Sequence, residues 1–383
     1  MTSTIGRLEV ASVSVTTTGL RERWPATASR RWLMRLALAE PYALLVLVAD
    51  ARGIASPENL RLERAGELVD WGADEFTWVA QAYPPVPTAL ASLLPGGVVM
   101  LGFVGAVCAG VILQVLWERM HQRSVPAVPM ALLLLSVGAT PAFLFSSTHD
   151  LAAFLGMSLF TVALAGLLRF AVDGDTEGGF QCGLALGVAA MCDPATAIFA
   201  VLLGIAAPLV AWRRYRGEPG AVSATFAVVL FPTVAAFAGW AFLEWRFTGG
   251  AYASIRTDPL FLDFPGGVLA TLVREIGWMV QRLAITPVYV VVAVLLVARR
   301  RTAFLVPILP PLAVLLTQFL GLHLATGQGL VILATAALMI VPADPSRRVQ
   351  FALALAAVYQ VTLAWIPWRP GMSVAEYTER LLG

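Results

Sequence analysis

Apolar residues in this chain gather in long blocks, and the blocks are helix-length rather than strand-length. A bilayer core of about 30 Å takes about 20 helical residues at a rise of ~1.5 Å each. Eleven stretches approach that length: 32–51, 96–117, 126–147, 150–171, 179–192, 194–212, 221–244, 284–298, 302–321, 327–342 and 349–366, the fifth and eighth being short. A segment in lipid must satisfy its own backbone hydrogen bonds, which a helix does. The pattern predicts an all-α polytopic integral membrane protein with about 11 transmembrane helices. A flexible tail, 1–31, precedes the transmembrane domain, 32–366, and a short tail, 367–383, follows it.

Two longer polar segments interrupt the blocks, 52–95 and 245–283. In the first, Ser56-Pro57 reads as an N-cap followed by proline at the first helical position. Leu60, Leu62, Ala65, Leu68 and Val69 then share roughly one face, and Gly72 can stop the helix. A second short helix is expected from about Val86 to Leu94. Short amphipathic helices lying on the membrane surface fit this pattern. The second segment runs from a polar stretch, 248–263, through Phe264-Pro265-Gly266-Gly267 into an amphipathic run with Arg274, Glu275 and Arg282.

Composition excludes the alternatives. Apolar types make up 58% of the 383 residues and charged types 13%. A soluble domain carries roughly a quarter charged residues, and a disordered chain has low hydrophobicity. Mean hydropathy is +0.78. The net charge of +2 says little, but its distribution says more. All 26 basic residues are arginine, a bias that fits a GC-rich bacterial coding sequence, and Asn59 is the one asparagine. With the tail placed inside, seventeen arginines fall on the inner side, among them Arg119, Arg123, Arg169, Arg213, Arg299 and Arg347, and nine on the outer. By the positive-inside rule the N-terminus is then cytoplasmic and the C-terminus outside. The tail is polar and Ser/Thr-rich with no apolar core after a short basic start, unlike a signal peptide. Cys108, Cys182 and Cys192 sit in or beside apolar blocks, without metal or disulfide spacing.

Chemistry is therefore expected in the two outer loops, 52–95 and 245–283, and at the outer helix ends. The first loop concentrates acid in Asp70-Trp71-Gly72-Ala73-Asp74-Glu75-Phe76, ahead of Tyr83-Pro84-Pro85. Adjacent carboxylates near a low-dielectric surface repel, which raises at least one pKa toward the range of a proton acceptor. The same residues also suit a solvated loop or a helix cap.

An acidic pair in the first outer loop, then Tyr-Pro-Pro entering an apolar run, resembles the GT-C glycosyltransferases. The nearest in style are the bacterial members related to protein O-mannosyltransferases and lipid A aminoarabinose transferases. The resemblance continues in Ser146-Ser147-Thr148-His149-Asp150 after the third helix, in Gly183-Leu184-Ala185-Leu186-Gly187, and in Met191-Cys192-Asp193-Pro194-Ala195. It covers about residues 35–215, and Asp193 stands where the family often has lysine or arginine. It implies a polyprenyl-phosphate sugar as donor and a lipid, glycan or protein as acceptor, at the outer face of a bacterial plasma membrane. It places the general base on Asp74, with Glu75 as neighbour or alternative.

The leaving phosphate needs positive charge, for which Arg256, Arg274 and Arg282 are the outer candidates; Arg274 and Arg282 equally suit snorkelling to headgroups. His149 and Asp150, with Tyr83, are candidates to orient an acceptor or hold phosphate. No cofactor is expected; a divalent metal at Asp74 and Glu75 is compatible with the sequence but not indicated, and no zinc spacing is present. Membrane lipids are expected partners and nucleic acid is not. The competing classes are a transporter or flippase of lipid-linked saccharides and a non-catalytic envelope-complex subunit.

Overall fold

The structure is a computed structural model, and it describes residues 24–72, 76, 78–79, 82–170, 174–214, 220–251, 264–298, 307–322 and 324–366. The described residues form fifteen helices and no strand. In chain order they are α1 (Ala28–Ala51), α2 (Pro57–Glu67), α3 (Pro85–Leu93), α4 (Gly97–Gln122) and α5 (Ala127–Gly138). Next come α6 (Pro141–His149), α7 (Leu151–Leu168), α8 (Thr176–Ala190), α9 (Thr196–Arg214) and α10 (Ala221–Thr248). The last are α11 (Val268–Ile285), α12 (Pro287–Ala298), α13 (Leu309–Phe319), α14 (Gln328–Met339) and α15 (Arg347–Ala364).

Every one of the eleven apolar stretches carries a helix, and the fold is all-α as expected. The number of crossings is a coarser matter. Four helices, α1, α4, α7 and α10, are long and apolar enough to cross a membrane, or six spans if each bent pair counts as one. Those pairs are α5 with α6, bent by 58°, and α11 with α12, bent by 93°. The break in the first pair falls at Ala139-Thr140-Pro141, where proline opens α6. Proline has no N–H to give the preceding turn, so the chain restarts there in a new direction. The amphipathic helices expected in the first outer loop are present as α2 and α3. The tail to residue 23, the stretch 252–263, residues 299–306, His323 and the tail 367–383 lie outside the described residues.

The core runs between α4, α7 and α14. Ile112, Leu116, Phe143, Phe154, Phe199 and Ile332 are fully buried there. Phe143 meets Phe154 edge-on at 5.2 Å. From Val331 to Met339 every residue of α14 is buried, the pattern of a helix enclosed on all sides. The outer faces are the opposite case: Phe231 of α10 is 68% exposed, and Phe242, Trp245, Leu33 and Leu44 also lie open. So much exposed apolar surface on long apolar helices is compatible with a membrane surround.

Glycines set the closest approaches. A Cβ on Gly105 of α4 would lie 2.0 Å from the Ser147 carbonyl oxygen of α6, and one on Gly183 of α8 would lie 2.1 Å from that of Val228 in α10. Such small-residue contacts are how helices pack without a hydrophobic driving force between them.

The helix ends sort into two groups. At one end Arg35 bonds Gln114 at 3.0 Å, Arg123 bonds the Val341 carbonyl, and Arg169 pairs with Asp175. At the other end α2, α3, the α6–α7 break, the α8–α9 turn, the C-terminal end of α10, α11 and the start of α14 come together. This second end holds the candidate residues.

Candidate functional site

Residues 148–151 pass from α6 to α7 through the single residue Asp150, leaving backbone groups with no helical partner. The segment 52–95 supplies the missing partners. Asn59 of α2, itself buried, donates from Nδ2 to the Thr148 carbonyl at 3.2 Å and accepts the Leu151 N–H on Oδ1 at 2.9 Å. Ser56 was expected as a helix cap, and it does precede α2, but its hydroxyl donates to the His149 carbonyl at 2.9 Å instead. The interfacial reading of α2 is thereby refined: Asn59, Leu62 and Gly66 face the bundle, and Leu62 packs with Leu101 and Leu151.

Asp150 caps α7, accepting the Ala153 N–H at 3.2 Å. Its neighbour His149 stacks on Phe145 at 5.5 Å and places Nδ1 2.7 Å from the Thr148 hydroxyl. That hydroxyl donates to the Leu144 carbonyl at 2.7 Å, so His149 Nδ1–H is the donor between them and Nε2 the acceptor.

The other end of the same loop docks on the α8–α9 turn. The Tyr83 hydroxyl donates to the Ala190 carbonyl at 3.1 Å, and the Val86 N–H donates to the Met191 carbonyl at 3.1 Å. Two residues on, buried Asp193 accepts the Ala195 N–H at 2.9 Å on Oδ1 and a bond from Gln328 Nε2 on Oδ2. Gln328 is held in turn by the Ala325 N–H, at 2.8 Å from its Oε1. Gly156 of α7 makes room for Asp193, since a Cβ there would lie 3.0 Å from the Asp193 Cβ.

Of the predicted site residues, the structure brings Tyr83, His149 and Asp150 to the same end, with Asp193 between the two breaks. Arg282 reaches it from α11: its guanidinium bonds the Gln318 side chain, and its Nε would lie 3.4 Å from a Cβ on Gly329, next to Gln328. Arg274 bonds Glu275 at 2.9 Å. Asp74, Glu75 and Arg256 lie outside the described residues. Of their neighbours, Trp71 meets Trp78 at 5.5 Å and Phe76 meets Phe247 of α10 at 5.3 Å. No group of three possible metal ligands occurs among the described residues.

Sequence reasoning missed Asn59, Gln328 and Glu244 as members of this end. Glu244 is fully buried in α10 and accepts from Trp240 Nε1 at 2.8 Å. For Asn59 and Glu244 a signal was present: a lone asparagine, and an acid closing an apolar block four residues after a tryptophan. A groove of about 470 Å³ lined by Pro208, Gly220, Val222, Ser223 and Phe226 opens between α9 and α10 at the opposite end, away from these groups. No family model, curated protein or solved structure matches the chain.

Proposed function

We propose that the protein is a membrane glycosyltransferase of the GT-C kind. It moves a sugar from a polyprenyl-phosphate donor to a lipid, glycan or protein acceptor on the outer face of a bacterial plasma membrane. One observation carries the reading. Three stretches on which the resemblance rests, Tyr83-Pro84-Pro85, Ser146 to Asp150 and Met191 to Ala195, are far apart in sequence yet lie at one end of the bundle, joined by hydrogen bonds of the first outer loop.

In this reading eleven helices cross the membrane, the N-terminus is cytoplasmic, and the polar end faces out. Asp74 takes the proton of the acceptor hydroxyl, with Glu75 beside it. The oxygen then attacks the anomeric carbon, and the sugar–phosphate bond breaks with the electron pair leaving on phosphate. Arg256 and Arg282 neutralise that charge. Tyr83, His149 and Asp150 hold substrate at the floor of the site, and no cofactor takes part.

Buried acids at two helix breaks also favour a second reading, a transporter or flippase of lipid-linked saccharides, because transporters place ionisable groups at interrupted helices. The test is to give purified protein radiolabelled polyprenyl-phosphate sugars. Transfer or slow hydrolysis is expected, with single cysteines at Thr77 and Thr302 labelled only from outside and only from inside, respectively. Movement of the intact donor across a vesicle wall, without bond cleavage, would overturn the transferase in favour of the transporter.

A further inference from the structure

We infer that α11 is a membrane-surface helix, lying in the interfacial layer with its outer face on lipid acyl chains. The inference rests on the chain being a membrane protein and not on the transferase reading.

The geometry limits the choices. α11 and α12 meet at 93° across Thr286, so both cannot run along the membrane normal. α12 holds no charged residue in twelve, whereas α11 carries Arg274, Glu275, Gln281 and Arg282. Charge at mid-bilayer is expensive, so α12 takes the crossing direction and α11 the plane.

The two faces of α11 then decide its surround. Leu269, Val273 and Val280 are 73%, 62% and 61% exposed, and Ile276 completes the stripe at spacings of four, three and four residues. The inward face is mixed: Thr271, Glu275 and Met279 are buried, and Arg282 reaches Gln318. A surface helix in water turns its polar side outward, whereas here the outward stripe is apolar. The exposed stripe continues into Val290, Val294 and Val297 of α12, so one apolar surface turns the corner without a polar border. Arg274 is the charged residue that emerges on the exposed side, with Glu275 holding its Nε. An anionic headgroup layer meets a guanidinium there while the stripe below meets hydrocarbon, and this combination fits lipid rather than a second protein.

The test uses the full chain in nanodiscs of phosphatidylcholine and phosphatidylglycerol. Nitroxides are placed on single added cysteines at 269, 273, 276 and 280, with the labelled parent chain as baseline. Because these side chains lie outside the packing, the labels leave the bundle intact. Collisions with oxygen are expected to exceed those with a water-soluble nickel chelate at all four positions, at one common shallow depth. In the unaltered chain, a lipid-borne carbene probe is expected to tag the same stretch. Nickel-dominated collisions would place the face in water. A steady change in depth, up to ~17 Å between 269 and 280, would make α11 a crossing helix. Exclusion of both reagents would mean that protein covers the face. Each of these three results overturns the inference.

Discussion

Asp74→Asn is expected to lose about 10²–10⁴-fold of its turnover, the range over which general-base catalysis contributes. The amide keeps the size of the carboxyl and its capacity to accept hydrogen bonds but takes no proton at neutral pH. Expression and donor binding are expected to hold, because the sequence places Asp74 in a polar segment between apolar blocks. Glu75→Gln is expected to lose less if Glu75 only raises the pKa of its neighbour. A dead Glu75→Gln beside an active Asp74→Asn would exchange their roles. If both variants remain active with a verified donor, the base lies elsewhere. Asp150, the buried acid that caps α7, is the described residue to change next.

The second large effect belongs to Asn59→Leu. The change removes both hydrogen bonds across the α6–α7 break and leaves the Thr148 carbonyl and the Leu151 N–H buried without them. An orphaned buried polar group costs about 1–3 kcal/mol, so the pair is expected to lower stability by about 2–6 kcal/mol. Asn59→Asp keeps the acceptor for Leu151 but turns an oxygen toward the Thr148 carbonyl, and a smaller loss is expected. Thermal unfolding in detergent measures the first quantity, and hydrogen exchange at the Leu151 amide localises it. A Leu variant as stable as the parent, with Leu151 still protected, would show that α2 is not the clamp on this break.

Some of this was readable in the chain. The α3 boundary at Pro85 and Leu93 lies within a residue of the expected helix, because proline at a helix start is a local signal. The end of α2 was not: it stops at Glu67, well short of Gly72, and Leu68 lies exposed instead of continuing the apolar face. Tyr83, His149 and Asp150 were candidates from their positions beside apolar blocks. Nothing local marked Gln328, whose importance comes from Asp193, a partner 135 residues away.

The linear pattern by itself determined the class of this protein. Block length, low charge and the absence of strand-length alternation are properties of consecutive residues, and a helix satisfies its backbone within the same consecutive residues. The tertiary structure alone decided which polar groups meet. Asn59 finds Thr148 and Leu151, Tyr83 finds Ala190, and Asp193 finds Gln328 through packing of separate helices, with glycines such as Gly105 and Gly183 setting how closely those helices approach. The direction of α11 was decided in the same way. Its amphipathic period is present in the sequence, but which face turns outward depends on the 93° corner with α12 and on the neighbours that cover Thr271 and Glu275.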